Sequence, residues 1–277
     1  MGSLGNGPLL PVPLRTLYAD LDGTLAGPGG SLYATATGLS SRGTEAVAAL
    51  HQAGVQLVLV SGRTRDQMRE AARLLGATAY IAELGAFVVE RGESEEVTQN
   101  FGRFRGPGTP FGAMARSGAG AFLLERYSSR LEPHTPWAFQ DREATMLFRG
   151  LIEEREATEA LDHAGYRWLE VCDNGRISRT YETLDLPEIR AYHLVPRGVN
   201  KAVAVRLHRE RAGHTVDETA AVGDSASDLQ MASEVGAMVL VGGLQNPPGH
   251  ANVWCTESSA GDGFADAVRA LVPIGTL

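Results

Sequence analysis

The chain has 277 residues, a formal net charge of −8, and 43% hydrophobic against 21% charged residues. This balance is that of an ordinary soluble globular protein, with room for one large domain or two modest ones. It excludes the basic footprint that a nucleic-acid or anionic-membrane surface requires.

Two cysteines far apart, Cys172 and Cys255, make neither a disulfide framework nor a CxxC metal site. No apolar run approaches the roughly 18 residues of a membrane span. Residues 1–14 are rich in Gly and Pro and lack the basic start and apolar core of a signal peptide, so a cytoplasmic location is expected.

Taken in order, an apolar run at residues 17–19 ends in two carboxylates, Asp20 and Asp22, before Gly23 and Thr24. Such a run reads as a buried strand. Positions i and i+2 of a strand share a side, so both carboxylates are expected to project together at its C-terminal end, where open α/β sheets bind ligands. Two close carboxylates repel, so the fold needs a cation there or a shared proton.

A Gly-rich loop (26–40) follows. Next come an expected helix (44–53), a buried strand (55–60) closing in Ser61-Gly62-Arg63, a helix opened by Thr64 and Asp66 and stopped at Gly76, and a short strand (80–82). Alternating strands and helices predict a parallel sheet with helices on both faces. The rhythm changes near Gly85. A strand pair (86–90, 96–101), a helix within 112–126, a strand (144–148), a helix (152–164) and strands 168–172 and 189–194 predict a separate α+β block. Pro196-Arg197-Gly198 reads as the return hinge. Beyond it are expected a helix (201–211), a strand (220–222) ending in Gly-Asp-Ser, a helix (228–235), a strand (238–241) and a last helix (264–271). The expected architecture is α/β: a Rossmann-like core at 1–84 and 198–277, with an inserted α+β domain at 85–197.

Lys201 is the single lysine among 25 Lys and Arg residues, the other 24 being arginine. A compact ammonium, a point charge on a phosphate or carboxylate, is retained there where a guanidinium is used elsewhere. Asp224 and Asp228 are four apart, and a helix beginning just after Gly223 would place them on one face.

The ordered set Asp-Leu-Asp-Gly-Thr-Leu (20–25), Ser-Gly-Arg (61–63), Gly-Val-Asn-Lys (198–201) and Gly-Asp-Ser-Ala-Ser-Asp (223–228) resembles the four motifs of the haloacid dehalogenase superfamily of phosphohydrolases. The large insert between the second and third resembles the cap of its subclass IIB, the Cof-like branch of sugar phosphatases. The resemblance implies a Mg²⁺-dependent phosphatase acting on a small phosphorylated metabolite (a sugar phosphate, a phosphoglycerate derivative or phosphoglycolate) through an aspartyl-phosphate. It implies Asp20 as nucleophile and Asp22 as general acid and base. Gly23, Ser61, Gly62 and Lys201 would hold the phosphoryl group, with Lys201 also neutralising charge. Asp20, the Asp22 backbone carbonyl, Asp224 and Asp228 would hold Mg²⁺, an oxygen-only set that suits that ion.

Within the insert, Arg142, Arg149, Arg179 and His193 are candidates for the substrate's non-reacting end, as is Arg63 beside Ser61, while Trp137 and Trp168 read as core. Ser227 and Leu84 depart from the branch pattern, which usually has Asn at both places. A phosphomannomutase-like phosphotransferase and a catalytically silent ligand-binding relative are the alternatives. Neither nucleic acid nor membrane is an expected partner, and a monomer or homodimer is expected.

Overall fold

The computed structural model describes residues 9–35, 38–177, 179–243 and 250–272. Residues 1–8 of the Gly- and Pro-rich segment and 273–277 of the expected core lie outside them. The first half runs β1 (Thr16–Asp20), a two-rung hairpin β2 (Ala34–Thr35) and β3 (Gly38–Leu39), α1 (Arg42–Gln52), β4 (Gln56–Val60), α2 (Arg65–Leu75), β5 (Ala79–Ala82), β6 (Phe87–Arg91) and β7 (Glu95–Gln99). The insert contributes α3 (Pro110–Ser117), α4 (Ala119–Arg126), β8 (Leu131–Pro133), β9 (Met146–Gly150), α5 (Glu154–His163), β10 (Leu169–Ile177) and β11 (Ile189–Pro196). The chain returns through α6 (Lys201–Arg211), β12 (Thr219–Gly223), α7 (Ala226–Leu229), β13 (Ala237–Leu240), β14 (Val253–Cys255) and α8 (Ala260–Leu271).

The core is an eight-stranded sheet in the order β14-β13-β12-β1-β4-β5-β6-β7. From β14 to β5 neighbouring strands pair in parallel. Every residue of β1 is buried, as a central strand covered on both faces must be. One face packs on α1, α2 and α8 through Leu50, Met68 and Phe264. The other packs on α6 and the segment after α7 through Val205 and Met231. After β1 the chain moves outward to β4 and β5, and after the insert it returns to β12 on the other side of β1. The C-terminal end of β1 is therefore the point where strand order reverses, the usual place for a ligand site in such sheets.

The insert forms its own antiparallel sheet, β10-β11-β9-β8, with α3, α4 and α5 closing a core around Leu123, Phe148, Leu161 and Leu194. We call this unit the cap.

Three expectations are corrected. The strand pair assigned to the insert extends the core sheet: β6 pairs antiparallel with β5, with Phe87 opposite Ala82, and β7 pairs with β6. Phe87, Val88 and Val89 are each 0–1% exposed, burial that an isolated two-stranded ribbon could not provide. The single helix expected within 112–126 is two, α3 and α4, divided at Gly118, whose left-handed backbone (φ 79°) ends a helical run. The third concerns Asp224 and Asp228. The helix starts at Ala226 with Ser225 as its N-cap, so Asp224 precedes it, and the two residues meet by a different route described below. Strands β8 and β14, three residues each, were not foreseen.

Candidate active site

Asp20, Ser61 and Asp224 follow from the ends of three adjacent parallel strands, β1, β4 and β12. Asp20 is the last residue of β1, and its side chain is buried. Lys201 opens α6 with its side chain 2% exposed. Its Nζ donates to Asp20 Oδ1 at 2.8 Å and to Asp228 Oδ1 at 2.6 Å. One ammonium thus joins carboxylates that are 208 positions apart in the chain.

Asp228 is held by the start of α7. Its Oδ2 accepts from the backbone N–H of Ser225 at 3.0 Å, from that of Asp224 at 3.2 Å, and from Ser225 Oγ at 2.5 Å. Asp228 is therefore the N3 residue of a capping box with Ser225. That backward reach, not a shared helix face, is what brings Asp224 and Asp228 together. One carboxyl oxygen each from Asp20, Asp224 and Asp228 lie within 4.8 Å of one another. Thr24 Oγ1 donates to Asp224 Oδ1 at 3.4 Å. Gly23 closes the far side, where a Cβ would lie 2.1 Å from Asp224 Oδ2. No larger residue fits there.

Two buried carboxylates, Asp20 and Asp228, and the half-buried Asp224 around one ammonium carry excess negative charge. Burial, then repulsion from Asp228, pushes the Asp20 carboxyl well above its usual range, with Lys201 opposing and Asp224 adding to the rise. The same causes push Asp224 up to about 7. Burial alone would lower the Lys201 ammonium, but Asp20 and Asp228 outweigh it and raise it. Both shifts favour the protonated carboxyl, and a cation among these oxygens would oppose them. A buried, oxygen-only donor set with that deficit fits a hard divalent ion such as Mg²⁺.

Asp22 takes a different position. Its side chain is half exposed, and the Arg63 guanidinium forks onto it, Nε to Oδ2 at 2.7 Å and Nη2 to Oδ1 at 2.5 Å. Asp22 is thus no part of the carboxylate cluster through its side chain, and Arg63 faces Asp22. Ser61 is 2% exposed and its Oγ accepts from the N–H of Arg63 at 3.2 Å.

Gly62 is where the cap meets the core. A Cβ there would lie 2.7 Å from His193 Nε2 and 2.9 Å from Asn174 Nδ2, both cap atoms. His193 is 1% exposed, with Nδ1 3.3 Å from Thr145 Oγ1. Burial, and the charges of Arg142, Lys201 and His134, hold its imidazole well below the usual range, so it is neutral. Arg142 is buried and donates to the carbonyl of Gly62 at 3.2 Å, to Trp137 O at 3.2 Å and to Thr145 Oγ1 at 2.9 Å. Arg149 pairs with Glu132, with Nε to Oε1 at 2.6 Å, and its guanidinium carbon lies 3.6 Å from the Tyr181 ring centroid. The Arg179 guanidinium carbon lies 5.7 Å from the same ring centroid. The structure thus brings His193 to Gly62 and engages Arg142 and Arg149 within the protein. Trp137, read as core, is 46% exposed.

Two participants escaped the sequence reading. Asn174 begins an Asn-Gly pair inside β10, where the register shifts between Asp173 and Arg176. Its Oδ1 accepts from Ser227 Oγ at 3.2 Å, so the departure at Ser227 makes a core–cap contact. The Asn-Gly pair was the available signal. Glu83, fully buried after β5, accepts from the N–H groups of Glu143 (2.9 Å), Ala144 (3.0 Å) and Thr145 (2.8 Å) and from Thr145 Oγ1 (3.0 Å). A charged residue closing a short apolar strand was its signal. Leu84 beside it has φ 57°, a conformation that suits Asn better, and its side chain packs into the core.

A family model for haloacid dehalogenase-like hydrolases matches residues 17–101 and 187–268, which take in both halves of the core and the last cap strand. The chain belongs to the haloacid dehalogenase-like hydrolases. Within that family it is 29% identical, over 94% of its length and 97% of the relative's, to the phosphoglycolate phosphatase of Methanoculleus marisnigri. In fold it is similar to the sucrose-phosphatase of Synechocystis sp. PCC6803, solved with sucrose and phosphate (TM-score 0.62, 16% identity, covering 94% of this chain and 98% of that one). It is similar as well to the subclass IIB sugar phosphatase BT4131 (TM-score 0.61, 20% identity, 95% and 100%). The cap of this haloacid dehalogenase-like hydrolase therefore has the subclass IIB fold. Among its described residues no helix is long and apolar enough to cross a membrane.

Proposed function

We propose that this hydrolase is a Mg²⁺-dependent phosphatase of a small phosphorylated metabolite, working through an aspartyl-phosphate on Asp20. The observation that carries the reading is the Lys201 bridge between Asp20 and Asp228 beside Asp224, one cluster at the reversal point of the sheet. The full-length likeness to a phosphoglycolate phosphatase supports a small, anionic substrate, and phosphoglycolate is the first compound to test.

An Asp20 oxygen would attack phosphorus as the P–O bond to the leaving group breaks, and the leaving oxygen would take a proton from Asp22. In the arrangement seen, both Asp22 oxygens accept from Arg63. Donation requires that fork to open. Water would then attack the phosphoryl group, return a proton to Asp22 and release Asp20. Lys201 would keep Asp20 anionic for attack and offset charge on the phosphoryl oxygens, which backbone N–H groups near Gly62 and the Ser61 hydroxyl would receive. Mg²⁺, held by Asp20, Asp224, Asp228 and the Asp22 carbonyl, would supply Lewis-acid charge neutralisation. The cap residues His193 and Asn174, which stand over Gly62, would meet the remainder of the substrate and exclude water.

The test is phosphate release from phosphoglycolate, phosphoglycerates and hexose phosphates, with and without Mg²⁺. Release that needs Mg²⁺ and disappears in Asp20→Asn is expected. Release that persists in that variant would overturn the assignment of the nucleophile.

A further inference from the structure

A second concentration of positive charge lies at the hinge between cap and core, in a chain whose net charge is −8. The two linkers run side by side there, with the N–H of Arg103 donating to Arg197 O at 2.8 Å. They are packed so closely that a Cβ on Gly102 would lie 2.2 Å from that same carbonyl oxygen.

Beside them opens a cleft of about 450 Å³ lined by Arg103, Asp162, His163, Arg167 and Arg197. Its one carboxylate is already engaged, since both Asp162 oxygens accept from Arg197 Nη2 at 2.9 Å. The guanidinium groups of Arg103 and Arg167 have no hydrogen-bond or ion-pair partner among the described residues, and both are exposed. A second cleft of about 400 Å³ shares Arg103 and is walled by Phe104, Ala113 and Trp168. The Phe104 and Trp168 rings lie 5.4 Å apart, inclined at 40°. Arg105 completes this wall, donating to the carbonyls of Gly102 (2.6 Å) and Phe104 (2.8 Å), so its charge has no carboxylate opposite.

One lobe is cationic with two unpartnered forks, and the adjoining lobe is aromatic. We propose that this two-lobed cleft binds an organic anion: a phosphate, sulfonate or carboxylate carried on a flat apolar group. Guanidinium forks match the tetrahedral or planar oxygen groups of such an anion, and the Phe104–Trp168 wall matches its flat body. None of these residues belongs to the carboxylate site. Arg103 and Arg197 come from the linkers, His163 from the end of α5 in the cap, and Arg167 from the turn between α5 and β10. A ligand seated across both lobes therefore ties cap to linkers and restrains the hinge.

The experiment uses 8-anilinonaphthalene-1-sulfonate, an aryl sulfonate with no phosphoester to hydrolyse, titrated by fluorescence into the full-length protein and into Arg103→Glu/Arg167→Glu. The partnerless, exposed positions leave the variant's melting temperature unchanged, which is checked first. Saturable binding by the wild type, weakened at least tenfold in the variant, is expected. So is slowed hydrogen exchange at residues 101–105 and 197–198 on probe addition to the wild type. Absence of saturable binding to the wild type, equal affinity in the variant, or binding that leaves exchange of the linker amides unchanged would overturn the proposal.

Discussion

The backbone N–H and hydroxyl of Thr145, in the cap, both donate to the Glu83 carboxylate at the end of a core strand, at 2.8 and 3.0 Å. With the N–H groups of Glu143 and Ala144 added, one buried side chain closes the open backbone of the cap segment that leads into β9. Cap and core are thus joined by a polar latch as well as by their linkers.

Glu83→Gln keeps the size of the side chain but turns an amide N–H₂ toward donors, leaving at least one of them unsatisfied. An unmet buried partner costs about 1–3 kcal/mol, and more where a charged acceptor is lost. Amide exchange at residues 143–145 should therefore quicken by about 5- to 150-fold, since each 1.4 kcal/mol is about tenfold. Unchanged exchange at those three amides would refute the latch.

Lys201→Met removes the cation that bridges Asp20 and Asp228. Loss of preorganised charge of this kind lowers turnover by roughly 10²–10³-fold. Lys201→Arg should not restore it, because a planar fork does not replace a buried point charge that touches two carboxylates. Steady-state rates of the two variants decide this, and near-wild-type turnover by the arginine form would show that charge alone suffices.

Adding Mg²⁺ should raise the melting temperature. The ion would offset the burial and repulsion that lift Asp20 and Asp224, and a ligand at about 100 times its dissociation constant stabilises by about 2.7 kcal/mol. For a chain of this size that is a shift of about 5–10 °C. Asp224→Ala should lose most of the shift in a thermal melt. A variant that kept it would place the ion elsewhere.

The core also carries a pH signature. His208, buried on α6 with its Nδ1 2.9 Å from Tyr18 Oη, has its imidazole pushed down to about 4, by burial first and then by the charges of His214 and Arg211. A folded-state value below the unfolded one means that the unfolded chain binds the proton first. Stability from the neutral ring is complete above about pH 6.5 and declines as pH falls toward 4, at up to about 1.4 kcal/mol per unit. Denaturant titrations at pH 7 and pH 5 should show a smaller loss in His208→Gln than in the wild type. Equal losses would mean that His208 is not the group that titrates.

Much of this protein was determined by sequence alone. Apolar runs closed by Asp20, Ser61 and Gly223-Asp224 are local signals, since a strand covered on both faces must be apolar and a ligand-binding strand end must break the run. They supplied the parallel sheet and the placing of candidate carboxylates at its strand ends, and composition singled out Lys201. Tertiary structure decided what depends on partners far along the chain. The β6–β7 hairpin reads like any ribbon, and only the open edge of β5 draws it into the core sheet. Arg63 carries no local mark of its bond to Asp22, which is made across 41 residues. Arg142 and His193 could be substrate residues or structural ones by composition. Burial against Gly62, from a cap strand and a cap loop, gives each its place. Local periodicity records which face of an element is covered, but not by what, and the chemistry of the cap lies in that second fact.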